Sequence, residues 1–187
     1  MRLDAPLSAM LRNARKTDAI SFGGPLDVIV HDLDKQYSAL LANHCDHVIE
    51  ADGRYAGCQG CFNCWTKHPA ECFIKDKLRT VCRIIGQADR VTVITENFYG
   101  SYSSQVKAVL DRSIGSSTPL SCYREGQMHH CLRYGPHNLW KVIVYGDITA
   151  RERETFQLLA QRNAINDGFE RCEVTFLDDL SQLRGAL

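Results

Sequence analysis

The chain has little of what a membrane-bound or nucleic-acid-binding protein needs. Among its 187 residues, 22 basic and 22 acidic side chains cancel to a formal net charge of +0, so no broad positive field attracts phosphodiester backbones or anionic lipid. No run approaches the roughly 20 apolar residues of a membrane-spanning helix, and charges interrupt the N-terminus where a signal peptide would be apolar. We therefore expect a cytoplasmic protein without a nucleic-acid or membrane partner.

Cysteine is too scarce for a disulfide scaffold. The nine cysteines are an odd number and too small a fraction for a secreted fold held together by bridges. Five of them are scattered, and three of these five, Cys45, Cys82 and Cys172, lie in apolar patterns typical of small core residues. The other four fall close together between positions 58 and 72, and this clustering indicates chemistry.

Short apolar strands alternate with helical patterns along most of the chain. Such alternation predicts an α/β fold, namely a flavodoxin-like, doubly wound, five-stranded parallel sheet with helices on both faces. Ligands of such sheets bind beyond the carboxyl ends of the strands. The strands are expected at 26–30, 47–49, 90–95, 139–145 and 172–177, and the helices at 35–43, from Asp76 to about 86, 102–114, 150–166 and the C-terminus.

The predicted domain organisation is simple. Residues 1–25 read as a polar N-terminal arm, and 26–187 as one domain that contains a cysteine-rich loop, 57–72. The stretch 116–138 is rich in Ser, Gly, Pro and His and has no sustained period, so we expect a functional or interface insertion without regular structure. The arm and the insertion make a homo-oligomer the expected state.

Spacing suggests three interpretations of the cysteine-rich loop. Cys58, Cys61 and Cys64 follow one another at x2 intervals, and seven residues lie between Cys64 and Cys72. Short loops of this kind bring three thiolates to three corners of a cuboidal cluster, while a more distant cysteine binds the fourth. The alternatives are thiols or a reversible disulfide, and a zinc site in which His68 joins three cysteines.

Three segments carry a resemblance to a known family. They are Gly57–Asp76, Thr95–Arg112 and, more weakly, Val142–Asp147. On these segments the chain from Leu26 to Leu177 resembles the NAD(P)H-dependent FMN reductase and iron–sulfur flavoprotein families. The resemblance implies an FMN-dependent NAD(P)H oxidoreductase or an electron-transfer flavoprotein. A nicotinamide or a donor protein would supply electrons, and a [4Fe-4S] cluster on the four cysteines would pass them to an unknown acceptor.

The resemblance also assigns residues to the flavin ring. Gly100 would let the backbone approach a flat ring, Phe98 and Tyr99 would lie against the ring, and Ser101 and Ser103 would supply donors at a helix start. No side chain is required as a catalytic acid or base. The residues implied are Thr95, Glu96, Asn97, Phe98, Tyr99, Gly100, Ser101 and Ser103 after one strand, and Tyr145, Gly146 and Asp147 after another.

One loop departs from the family pattern. The phosphate loop of the family is rich in Gly, Ser, Arg and Thr, whereas here 31–38 is short, lacks glycine and carries Asp32 and Asp34. Only Lys35 and Ser38 suit a phosphate, and Glu96 takes a position usually given to proline. The departure motivates a second hypothesis, in which a flavodoxin-fold subunit has lost FMN and serves as a binding or thiolate-metal partner in a redox complex.

Overall fold

The computed structural model describes residues 26–187, and the predicted arm, 1–25, lies outside them. Five parallel strands form one sheet: β1 Asp27–His31, β2 His47–Glu50, β3 Arg90–Glu96, β6 His137–Tyr145 and β7 Phe169–Phe176. Their order in the sheet is β2-β1-β3-β6-β7, with helices on both faces. The predicted flavodoxin-like α/β fold is therefore confirmed.

The central strands are apolar on both faces because both faces are covered. Val28 and Val30 of β1 lie in one core cluster, whereas Ile29 between them lies in the other. The first cluster packs against α2 Val81–Gln87, α3 Ser104–Arg112 and α4 Ala150–Asp167. The second packs against α1 Ser38–Ala42 and α5 Leu183–Ala186.

Local sequence explains most helix ends. A capping box between Thr149 and Glu152 starts α4, and Gly168, at φ 78°, ends it, as expected for a residue free to adopt the left-handed region. The prediction that Asp76 starts a helix is wrong. The carboxylate of Asp76 accepts a hydrogen bond from the Leu78 amide at 3.0 Å, and α2 begins only at Val81.

The insertion 116–138 contains regular structure that its pattern did not predict. β4 Ser117–Arg124 and β5 Gln127–Leu132 pair antiparallel. Glu125 and Gly126 join them, both with positive φ, as a tight hairpin turn requires. The ladder shifts register between Ser117 and Ser121, which breaks the alternation that would reveal a strand.

None of the helices found in residues 26–187 combines the length and the apolar content that a bilayer crossing requires. The parallel strands all end at the same edge of the sheet. At this carboxyl edge the chain leaves β1 at Asp32, β3 at Asn97 and β6 at Gly146. The edge therefore brings together the loops in which the sequence placed its candidate flavin residues.

Candidate functional site

Asn97 ties the loop after β3 to the loop after β6. Its backbone amide donates to the Tyr145 carbonyl at 2.8 Å, and its side-chain amide donates to the Asp147 carbonyl at 2.8 Å. Its side-chain oxygen accepts from the Gly100 amide at 3.0 Å. The two segments predicted to surround a flavin ring are thus held against one another, although their role toward a ring stays a prediction.

Two aromatic side chains project from the first of these loops. Phe98 is 57% exposed and Tyr99 is 82% exposed, and their rings meet edge to face with centroids 5.0 Å apart. Tyr99 takes a positive φ of 54°, which is uncommon for a residue with a Cβ. The loop therefore presents aromatic surface to solvent at the carboxyl edge.

The small residues of this loop are used within the protein. A Cβ on Gly100 would lie 3.1 Å from the backbone oxygen of Glu152 and 3.2 Å from Thr155 Cβ, so the close approach that Gly100 allows is to α4. Ser103 caps α3 by accepting from the Val106 amide at 3.3 Å. Ser101 exchanges two backbone hydrogen bonds with Phe98. These contacts make the loop rigid.

A carboxylate occupies the middle of the carboxyl edge. Asp32 accepts hydrogen bonds from the Tyr145 hydroxyl at 3.0 Å, the Thr95 hydroxyl at 3.2 Å and the Glu96 amide at 3.1 Å. Three strands thus meet on one side chain. Burial and the negative charge of Asp32 raise the pKa of Tyr145 above its usual range, so Tyr145 stays a hydrogen-bond donor.

An acidic pocket of about 220 Å³ lies beside this carboxylate. The Asp52 carboxylate on its wall is paired with the Lys77 ammonium, and this hydrogen bond lowers the pKa of Asp52. Among residues 26–187, no Lys or Arg is paired with Asp32. The pocket is lined by Asp32, Ala51, Asp52, Glu96, Ser103 and Gln105.

The first loop does not fit a phosphate. The amide of Glu96 and the hydroxyls of Thr95 and Tyr145 point at Asp32 instead of at open space. α1 has only five residues, too few to present an array of free amides to an anion. Ser38 donates to Glu50 at 3.4 Å. The phosphate end of FMN therefore lacks a cradle in this part of the chain.

The cysteine-rich loop is anchored against the end of α3. The Trp65 indole donates to the Ile114 carbonyl at 2.8 Å and packs between Phe62 and His130. The amides of Ala70 and Cys72 donate to the carbonyls of Cys64 and Arg79. The loop thus holds a defined shape without any helix or strand of its own.

All four clustered cysteines line one pocket of about 130 Å³. Cys58 and Cys61 are exposed, Cys72 is partly buried and Cys64 is buried. No group of three or more His, Cys, Asp or Glu side chains in residues 26–187 has the arrangement to hold a metal ion. His68 stacks near Phe73 and is not among the lining residues, so the zinc alternative gains no support. The other lining residues are Gln59, Gly60, Phe62, Phe73, Ile74, Arg112 and Ile114.

A buried ion pair supports this pocket. Arg112 has a fully buried side chain and forms two hydrogen bonds to Asp76, at 2.8 and 2.9 Å, and a third to the Ala56 carbonyl at 2.7 Å. The guanidinium holds the pKa of Asp76 at about 2. Arg112 therefore forms a structural ion pair. Asp111 instead pairs with Lys107 on the surface of α3.

Cys82 lies next to the cysteine pocket, which the sequence did not predict. It is completely buried on α2, as expected of a core residue, but its sulfur and the sulfur of Cys64 both lie beside Gly115. The interaction between the two thiols lowers the pKa of Cys64 to about 7 and raises the pKa of Cys82. The two cysteines are 18 positions apart, and no spacing rule indicates that they lie close together.

Comparison with known proteins defines the fold of the chain. No protein-family model and no curated protein sequence matches it. The solved structure of an FMN-dependent NADH-azoreductase from Bacillus anthracis str. Ames Ancestor shares 12% sequence identity at a TM-score of 0.53, over 87% of this chain and 94% of that chain. An NAD(P)H:quinone oxidoreductase from Methanothermobacter marburgensis shares 15% identity at a TM-score of 0.46, over 82% and 86% of the two chains. The likeness to the first of these two structures shows a flavodoxin-like fold.

Proposed function

We propose that this chain is a flavin-dependent oxidoreductase that takes electrons from NAD(P)H or from a donor protein. The observation that carries the proposal is the aromatic pair at the carboxyl edge. Phe98 and Tyr99 are exposed on a loop that Asn97 ties to the loop after β6. In doubly wound sheets this edge is where planar cofactors bind. The fold, shared with a solved FMN-dependent NADH-azoreductase, supports the same class.

Each protein group has a limited task in this proposal. A bound flavin would supply the acceptance of hydride and the release of electrons to an acceptor, so no side-chain acid or base is needed. Phe98 and Tyr99 would contact the ring of a bound flavin, and the loop backbone at Gly146 and Asp147 would orient it. Asn97 fixes the distance between the two loops. Thr95 and Ser103 join the two ends of the loop by a hydrogen bond from the Ser103 amide to the Thr95 hydroxyl.

The phosphate of FMN has no role in this proposal. Because Asp32 of the first loop occupies the donors at the ends of β3 and β6, the protein recognises the ring and not the phosphate. We therefore expect FMN to bind no more tightly than riboflavin. A family member with a phosphate cradle would instead prefer FMN strongly, since charge-assisted hydrogen bonds to an anion are the stronger kind.

Flavin titration tests the proposal directly. The full chain is titrated with riboflavin and with FMN while flavin fluorescence is followed, and NADH- or NADPH-dependent reduction is then measured. Phe98→Ala should weaken the binding of both flavins by about tenfold, since an aromatic stacking contact contributes roughly 1–1.5 kcal/mol. Leu120→Ala is the matched control because Leu120 is also an exposed apolar side chain, at 68% against 57% for Phe98, but lies on β4. Absence of binding at micromolar flavin would overturn the proposal.

A second candidate function is favoured by the cysteine pocket. In this alternative the chain has no flavin and acts as a thiolate-metal partner in a redox complex, with a [4Fe-4S] cluster on Cys58, Cys61, Cys64 and Cys72. The four thiolates of a cluster bind four different iron atoms, so they need not converge on one ion. The pocket that all four cysteines line has walls of Phe62, Phe73, Ile74 and Ile114, and apolar walls suit such a cluster because they limit the access of solvent.

The iron, acid-labile sulfide and flavin content of protein purified without oxygen distinguishes the two functions. The second candidate predicts iron and acid-labile sulfide without flavin, whereas the first predicts extractable flavin or flavin binding. Cys72→Ser should remove most of the iron, while Cys172→Ser, on β7 and away from the pocket, should retain it. Iron-free protein after anaerobic reconstitution would contradict the cluster.

A further inference from the structure

A glycine makes room for two sulfur atoms behind the cysteine pocket. A Cβ on Gly115 would lie 2.8 Å from Cys82 Sγ, 2.9 Å from Cys64 Cβ and 3.2 Å from Cys64 Sγ. Contacts under 3.0 Å are not tolerated by a real Cβ, so any side chain at 115 would push the sulfurs away. Both sulfurs therefore border the same small space beside Gly115. Only glycine, which has no Cβ, leaves this space free.

The two thiols differ in access. Cys64 lines the pocket and keeps 8% of its surface exposed, whereas Cys82 is fully buried and is not among the lining residues. The Cys82 thiol donates to the Arg112 carbonyl at 3.1 Å. Of these two thiols, only Cys64 is open to a reagent that enters the pocket, and the reagent reaches Cys82 through Cys64.

We propose that Cys64 and Cys82 form a redox-active dithiol, which a small-molecule disulfide such as oxidised glutathione converts to an intramolecular disulfide. The Cys64 thiolate attacks one glutathione sulfur, which breaks the glutathione disulfide and releases one reduced glutathione. Cys82 then loses its proton and attacks Cys64 Sγ, which releases the second. The two cysteines lose two electrons and two protons in total, and oxidised glutathione becomes two molecules of reduced glutathione.

The dithiol shares Cys64 with the set of four clustered cysteines and takes its second sulfur from outside that set. Cys82 is on α2 and lies with Cys64 beside Gly115, whereas Cys58, Cys61 and Cys72 line the pocket. If a cluster binds Cys64, the disulfide and the cluster exclude one another. The inference does not depend on flavin binding, so its failure is distinguishable from failure of the proposed function.

Peptide mass spectrometry of the metal-free full chain tests the inference. After treatment with oxidised glutathione, acid quenching, alkylation and digestion, we expect a Cys64–Cys82 linked peptide that dithiothreitol removes. In Cys82→Ala the link is lost and Cys64 should retain one glutathione, because nothing displaces it. A wild-type protein that keeps glutathione on Cys64, links Cys64 to another cysteine, or leaves Cys82 fully alkylatable overturns the proposal.

A pair of glycine variants tests the geometry. Gly115→Ala should lose the linked peptide and accumulate glutathione on Cys64, because the methyl group separates the sulfurs. Gly135→Ala is the matched control, since nothing lies within 4 Å of a Cβ there, and it should form the link as the wild type does. Circular dichroism verifies that both variants fold, and a wild-type yield of the link in folded Gly115→Ala contradicts the geometry.

Discussion

Two carboxylates organise the two candidate sites, and they differ in what neutralises them. Asp76, beside the cysteine pocket, is paired with the buried guanidinium of Arg112 at 2.8 Å. Asp32, at the carboxyl edge, is held by the hydroxyls of Thr95 and Tyr145 and by an amide. Neutral donors orient a carboxylate without cancelling its charge. The pocket is therefore close to neutral, whereas the edge stays negative.

The difference in charge between the two sites determines which ligands each site tolerates. A negative edge repels a phosphate dianion, since unit charges about 4 Å apart interact by about 1 kcal/mol even in water and more strongly near protein. A planar ring without charge is not repelled. The cysteine pocket has thiols, apolar walls and an arginine whose charge Asp76 neutralises. These features suit reactions of the thiols.

Removal of Asp76 should have the largest effect. Asp76→Ala leaves the fully buried Arg112 guanidinium without its counter-ion, and breaking a buried pair in this way costs about 3–5 kcal/mol of unfolding free energy. Urea denaturation measures the loss. Asp111→Ala, which breaks the exposed pair with Lys107, should change the same quantity by only about 0.5 kcal/mol. Equal effects of the two variants would show that the pair does not anchor the pocket.

The same ion pair predicts a pH dependence. Arg112 lowers the pKa of Asp76 from 3.8 to about 2. A lowered pKa stabilises the folded state above the unfolded value, so this contribution is complete above about pH 4 and is lost as the pH falls toward 2. The difference in unfolding free energy between wild type and Asp76→Asn should therefore shrink across this range. A constant difference from pH 5 to pH 2.5 would contradict the shift.

The sheet was predictable because its signal is local. Val28 to Val30 and Val91 to Ile94 are continuous apolar runs, and a strand covered on both faces needs such a run. The hairpin was missed because a register shift after Ser117 interrupts its alternation. The start of α2 was misplaced because Asp76 serves Arg112 and a local turn instead of a helix cap.

The candidate site was predictable only in part. The sequence indicates that Asp32 makes the first loop acidic, but not that Tyr145, 113 residues away, holds it. The sequence predicts a buried Cys82, but not that its sulfur lies close to Cys64. This proximity depends on Gly115, which has no side chain to separate the two sulfurs. Both contacts join separate elements through tertiary packing. Periodicity and spacing describe one element at a time.

Loosening the carboxyl edge should have an intermediate effect. Tyr145→Phe removes the hydroxyl that donates to Asp32 at 3.0 Å, and hydrogen bonds to charged groups contribute about 1.5–3 kcal/mol. We expect the low end, because the Thr95 hydroxyl and the Glu96 amide still satisfy the carboxylate. Urea denaturation measures the loss. Tyr123→Phe is the control, since Tyr123 is 77% exposed and should leave the unfolding free energy unchanged.

Removal of the charge at Asp32 should have the smallest effect but the most specific one. Asp32→Asn keeps an acceptor for the Tyr145 hydroxyl and removes one negative charge from the edge, so the affinity for FMN relative to riboflavin should rise about fivefold, equivalent to about 1 kcal/mol. Parallel fluorescence titrations with the two flavins measure the ratio, in which changes in ring binding cancel. Glu170→Gln removes an exposed charge at the opposite, amino end of β7 and should leave the ratio unchanged. An unchanged ratio in Asp32→Asn would mean that the flavin phosphate lies away from this carboxylate. The negative charge of the edge would then not be what disfavours the phosphate of FMN.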